Sequence, residues 1–182
     1  MIIGIDPSLT GTAIYHIGQG NEGSDYITLK VKGEERLVHI RDHIQHMLDM
    51  FAFSDIAIQL VCIEGYAFAR PNQAHQIGEL GGVIRVLLYE SGLPWIEIAP
   101  AALKKFATGK GNATKDQIML HVFKRWGFEA PNNNIADAYA LAQMGVAIAT
   151  GDHGLTQAQA EALEKPRRAF ELLMCEKEEQ TI

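Results

Sequence analysis

The chain opens with an almost wholly apolar run, Met1-Ile2-Ile3-Gly4-Ile5, that ends on Asp6. Met1 to Asp6, Thr12 to Ile17 and Asp25 to Val31 read as three short strands, separated by the turn-forming stretches Pro7 to Gly11 and Gly18 to Gly23. Leu37, Ile40, Ile44, Met47, Leu48 and Phe51 then recur at helical spacing and predict an amphipathic helix over residues 34–52. Strand composition returns at Leu60-Val61-Cys62-Ile63. Helical periods over 73–91, 100–107, 115–127 and 134–149 follow, with a short strand from Trp95 to Ile98 between the first two. One more helix fits 156–175, carried by Ala158, Ala162, Leu163, Phe170 and Leu173.

Strands joined by short turns form an antiparallel meander, whereas strands joined through a helix usually run parallel. The pattern therefore predicts an α/β fold: a five-stranded mixed sheet, three antiparallel strands followed by parallel ones, flanked by helices. With 182 residues the chain is expected to form one unit, residues 1–151 making the domain and 152–182 a helical extension of it.

Composition adds limits. The first residues lack the basic stretch and cleavage site of a secretory signal, and no apolar run approaches the ~20 residues that span a bilayer. A cytoplasmic protein, in a bacterial cell or a phage-infected host, without membrane association is expected. Cys62 and Cys175 lie far apart in no metal-like spacing and read as reduced thiols. The net charge of -6 weighs against a nucleic-acid binder. Its distribution weighs the other way. Lys104, Lys105, Lys110, Lys115, Lys124 and Arg125 stand against the single acid Asp116 between residues 101 and 125, while glutamates load the C-terminal tail.

Three acids then stand out. Asp6 ends an apolar strand and precedes Pro7, which cannot continue a central strand, so its carboxylate belongs at a strand end, with Gly4 leaving room beside it. An Asp before Pro-Ser can equally be a capping residue. Glu64 ends the buried-looking run Val61-Cys62-Ile63, and Asp137 sits among small apolar residues on a helix, where an acid is seldom buried without a partner. Brought together, three carboxylates would repel one another unless divalent cations compensated them, and hard oxygen ligands suit Mg²⁺ or Mn²⁺.

The blocks Gly4-Ile5-Asp6-Pro7-Ser8-Leu9-Thr10-Gly11, Ile63-Glu64, Ala101-Ala102-Leu103-Lys104-Lys105 through Gly109-Lys110-Gly111-Asn112-Ala113-Thr114-Lys115, and Ala136-Asp137-Ala138 resemble those of the RuvC-like Holliday junction resolvases, in the same order. The resemblance spans residues 1–150, extends to phage-type members, and implies an RNase H-like fold. It further implies a homodimeric, structure-selective endodeoxyribonuclease that binds four-way or branched DNA in recombination and repair. Asp6, Glu64 and Asp137 would hold two Mg²⁺ or Mn²⁺ ions, Lys115 would be an active-site lysine, and cleavage would leave 5′-phosphate and 3′-hydroxyl ends. The family commonly has another acid one helical turn before the last Asp. This chain has Asn134 there, which could donate a carbonyl ligand or simply cap the helix.

Thr114-Lys115-Asp116-Gln117 has the form of a capping box, so Gly109 to Asn112 should lead into a helix N-terminus with free N–H groups, a natural anion site. Lys104, Lys105, Lys110 and Lys115 are expected to contact phosphates, the alternative being a solvated helix end. Tyr66, Phe68 and Arg70 follow Glu64 closely. The two aromatics could stack on an opened junction or only cover the sheet edge. The helix over 73–91 carries Ile77, Leu80, Val83, Ile84 and Leu87 with Gly78, Gly81 and Gly82; the resemblance implies that it forms the dimer contact, and the alternative is packing on this chain's own sheet. His39, His43 and His46 share a helical face, yet no cysteine or carboxylate completes a zinc set.

Two other functions fit parts of the sequence. Gly-Ile-Asp-x-x-x-Thr-Gly also resembles the phosphate loop of actin-like and sugar-kinase ATPases, for which this chain is short. A junction-binding protein without catalysis would keep the same fold with a metal site weakened by Asn134.

Overall fold

Ile2, Ile3 and Ile5 place β1 (Ile2–Asp6) in the middle of a sheet whose order is β3-β2-β1-β4-β5. The computed structural model describes residues 1–18, 20–66, 74–151 and 154–179. β2 (Thr12–Gly18) runs antiparallel to β1, and β3 (Asn21–Ile27) antiparallel to β2. On the other side β4 (Leu60–Glu64) and β5 (Trp95–Ile98) are parallel to β1. The mixed five-stranded sheet expected from the pattern is therefore present.

Helices cover both faces. α1 (Gly33–Phe53) and α2 (Ala74–Glu90) bury Ile40, Ile44, Leu80 and Ile84 against Ile3, Ile5, Val61 and Ile63. α3 (Pro100–Thr108), α4 (Lys115–Trp126), α5 (Asn133–Thr150) and α6 (Gln157–Glu179) enclose the opposite core, which takes Ile2, Leu60 and Cys62 from the sheet. Strand alternation thus divides β1 and β4 between two cores. Positions 2, 4 and 6, and positions 60, 62 and 64, turn toward α5.

α5 is buried on nearly every side, as its Ala-rich sequence requires. Its approach to β1 depends on Gly4: a Cβ there would stand 2.1 Å from the Ala138 carbonyl oxygen and 2.6 Å from the Ala142 nitrogen. Gly145 gives the same clearance to Ile2 and Cys62 further along. Ala162 and Leu163 tie α6 into that core.

β3 lies earlier than the expected Asp25 to Val31. Gly18 pairs with Asn21, so the hairpin closes over two residues, with Gly20 at φ +73°. The glycines that marked a long turn instead make a tight one, and the polar run from Asn21 becomes a solvent-facing edge strand.

α2 also departs from expectation in its use of glycine. Leu80, Ile84 and Leu87 pack into this chain's own core. A Cβ at Gly81 would meet Arg85 and Tyr66, so that glycine serves an internal contact. Gly78 and Gly82 face open space, and Val86 and Tyr89, on the same side, are exposed.

Candidate active site

The register that pairs Ile5 with Ile63 brings the next residues, Asp6 and Glu64, side by side at the C-terminal ends of two parallel strands. Both belong to the alternation that faces α5. Close packing of α5 on Gly4 sets Asp137, one turn into that helix, beside them. The three acids line one pocket of about 290 Å³, together with Ser8, Tyr66, Arg85, Leu103, Lys104 and Lys115.

Asp6 and Asp137 are nearly inaccessible to solvent, at 4% and 5% exposure, and Asp6 Oδ2 and Asp137 Oδ1 have no hydrogen-bond partner. Burial first, then the charges of Glu64 and Asp137, hold Asp6 well above the usual carboxylate range. Asp137 is pushed up to about 7 by burial and then by Glu64, against the opposing pull of Lys115 and Lys104. Glu64 is raised by burial too, tempered by a hydrogen bond with Asp6 and by the two lysines.

This donor set suits a hard divalent cation, since all its ligating atoms are oxygens and two are buried and unsatisfied. Among the described residues, however, no three His, Cys, Asp or Glu side chains converge closely enough to hold one ion as they stand. A cation held there would be bound by the ionised carboxylates, so its binding would compete with protons for Asp6 and Asp137, both of which are raised by burial.

Lys115 stands at the first position of α4, behind the expected capping box: Thr114 Oγ1 accepts from the Gln117 N–H, and the Thr114 N–H donates to Gln117 Oε1 at 3.0 Å. Its Nζ lies 3.9 Å from Asp137 Oδ2 and donates to Asn134 Oδ1 at 3.1 Å. Asn134 in turn donates from Nδ2 to the Gly11 carbonyl at 2.7 Å. The residue that caps α5 is Asn132, which accepts from the Ile135 N–H, and not Asn134.

The remaining basic residues separate. Lys104 reaches the pocket and Lys110 is exposed on the loop before α4. Lys105 is engaged by Glu161 of α6 in an ion pair and hydrogen bond. Tyr66 borders the pocket, while Phe68 and Arg70 lie outside the described residues. His39 and His43 pair with Glu35 and Asp25 on the surface.

Sequence reasoning passed over Arg85. Its side chain is 14% exposed, its Nη2 lies 2.7 Å from Glu97 Oε2, and its guanidinium stacks 4.2 Å over the Tyr66 ring. The pairing holds the segment after Glu64 against α2. The available signal was a charged residue four positions after Gly81, beside the buried Ile84 and Leu88.

A family model described as "Crossover junction endodeoxyribonuclease RuvC" matches residues 2–145. The crossover junction endodeoxyribonuclease RuvC of Chlamydia caviae is 31% identical over 151 residues, covering 78% of this chain and 89% of the relative. That of Hydrogenovibrio crunogenus is 29% identical over 146 residues, covering 76% and 83%. The solved structure of Thermus thermophilus RuvC superposes with a TM-score of 0.60 at 25% identity, covering 78% of this chain and 90% of that one.

Proposed function

Because the chain belongs to the crossover junction endodeoxyribonuclease (RuvC) family, we propose that it hydrolyses phosphodiester bonds in four-way DNA junctions, in recombination and repair, at the pocket of Asp6, Glu64 and Asp137. The observation that carries this reading is the meeting of three carboxylates from β1, β4 and α5 in one pocket, two of them with buried, unsatisfied oxygens.

Asp6, Glu64 and Asp137 are the residues that would hold Mg²⁺ or Mn²⁺. Such ions supply the Lewis acidity that makes a bound water nucleophilic near neutral pH and stabilises the leaving oxygen. The chain's own contribution is to arrange charge. Lys104 and Lys115 face the acids from α3 and α4, where they can hold a phosphate against a site that would otherwise repel it. Tyr66, fixed by Arg85, offers a ring at the pocket's edge on which an unpaired base can stack. Two opposed strands must be cut, and a twofold pair of chains meeting through the open face of α2 would supply two such sites.

The test is cleavage of a synthetic four-way junction and of a linear duplex of the same sequence, in Mg²⁺, Mn²⁺ and EDTA. Junction-selective, ion-dependent cutting that Asp6→Asn, Glu64→Gln and Asp137→Asn each abolish is expected. Junction binding should survive in all three. Near-normal cutting by the Asp6 and Glu64 variants, or no cutting with either ion, would remove the reading.

A further inference from the structure

We propose that Asn134 is a positioning residue: it joins the turn after Asp6 to the amine of Lys115, and it does not ligate the ions. The inference rests on the junction-cutting reading for its consequences in catalysis, but its geometry stands apart from it.

Asn134 is 9% exposed, and both ends of its amide are used. The Gly11 carbonyl can only accept a hydrogen bond, and the Lys115 ammonium can only donate one. Those two partners dictate the orientation of the amide, with Nδ2 toward Gly11 at 2.7 Å and Oδ1 toward Lys115 at 3.1 Å. The asparagine amide meets both demands at once, with no change of protonation. A carboxylate would set an oxygen against the Gly11 carbonyl, and a leucine would leave two polar groups unpaired.

Each partner matters to the pocket. Gly11 closes the turn that begins at Asp6 and leads into β2, and its backbone lies so close to Tyr26 that a Cβ would overlap the phenol at 2.2 Å. The turn is tied to α5 by the Asn134 hydrogen bond, and Tyr26 lies against its other side. Lys115 otherwise extends from an exposed helix terminus, where a long flexible side chain spends its freedom in water. Asn134 and Asp137, three residues apart and so on one face of α5, hold the ammonium between them. The lysine amine, on a side chain that is 54% exposed, is thereby directed toward Asp137. Its amine also occupies the Asn134 oxygen, which a cation would have to take from it.

The experiment uses the full chain. Asn134→Ala, Lys115→Ala and the double variant are compared in three measurements: junction affinity in EDTA, single-turnover cleavage in Mn²⁺, and Mn²⁺ affinity by isothermal titration. If Asn134 acts through Lys115, the single variants weaken junction binding about fivefold and slow cleavage about tenfold, and the double variant is no worse than Lys115→Ala. Mn²⁺ affinity of Asn134→Ala should stay within about threefold of the unmodified protein. Penalties that multiply in the double variant, or a Mn²⁺ affinity lower by about tenfold or more, would overturn the proposal. Absence of cleavage by the unmodified protein would count against the junction-cutting reading alone, because binding and Mn²⁺ titration still decide the role of Asn134.

Discussion

The Cα of Gly4 faces the backbone of Ala138 so closely that a single added carbon would stand 2.1 Å from its carbonyl oxygen. No side-chain rotation relieves such a contact, since both partners are backbone. Gly4→Ala must therefore push α5 off β1 and carry Asp137 away from Asp6 and Glu64. The expected result is a loss of stability on the order of 1–3 kcal/mol or more, typical of overpacked cores, together with loss of cleavage. Thermal melting and junction cleavage check it. A variant that melts and cuts like the unmodified protein would show that α5 does not need this close approach.

Legibility in the sequence followed the strength of local patterning. β1 and β4 were readable because apolar runs end abruptly on Asp6 and Glu64. α5 was readable because its small residues leave Asp137 isolated. What local pattern could not carry was partnership. Lys105 and Lys110 look alike in the sequence, and only the arrival of Glu161 from α6 distinguishes them. Arg85 is hidden for the same reason, as its partners Glu97 and Tyr66 lie on other elements. The misplaced β3 arose where Gly18, Gly20 and Gly23 suggested a long turn, although pairing across two residues satisfies the hairpin.

The raised carboxylates make the ion-free protein sensitive to pH in a defined direction. Asp137 titrates at about 7 when folded, against roughly 4 in an unfolded chain. The folded state therefore holds a proton that the unfolded chain has already released, so this stabilisation is complete below about pH 4 and fades as the pH rises to about 7. Asp6, also raised, adds in the same sense. In EDTA, melting temperature should fall across that window, by an amount corresponding to a few kcal/mol at most. A cation held by these acids would replace those protons, so stabilisation by Mn²⁺ should grow with pH. Asp137→Asn should flatten the profile. Melting in EDTA that rises from pH 5 to 7.5 would contradict the assigned burial of these acids.

The lysines should differ in their dependence on salt. A lysine that neutralises one phosphate contributes ~0.9 to the slope of log affinity against log salt concentration. Lys104, at the pocket, and the exposed Lys110 and Lys115 are each expected to reduce the slope by about that amount when replaced by alanine. Lys105→Ala should leave the slope unchanged, because its charge is already met by Glu161. Junction binding in EDTA at several salt concentrations measures all four. An unchanged slope for the triple variant of Lys104, Lys110 and Lys115 would place the DNA-binding face elsewhere.

Assembly through α2 can be tested with residues that the fold itself does not use. Gly78 and Gly82 have open space above them, and Val86 and Tyr89, one and two turns further along the same side, are 56% and 80% exposed. Glycines inside a helix cost ~1 kcal/mol each relative to alanine, a cost that close approach of a second helix would offset. Gly81 and Ile84 are unsuitable probes, since both are buried within this chain and a charge at Ile84 would unfold it rather than separate two copies. Val86→Glu combined with Tyr89→Glu places charge only on the open face. The expected outcome is a monomer with the melting behaviour of a folded chain and weakened binding to four-way junctions, because one copy offers only one of the two sites. Light scattering at micromolar concentration, on the variant and the unmodified protein side by side, gives the mass of each. A monomeric mass for the unmodified protein, or a dimer that persists in the charged variant, would mean that α2 is not the contact.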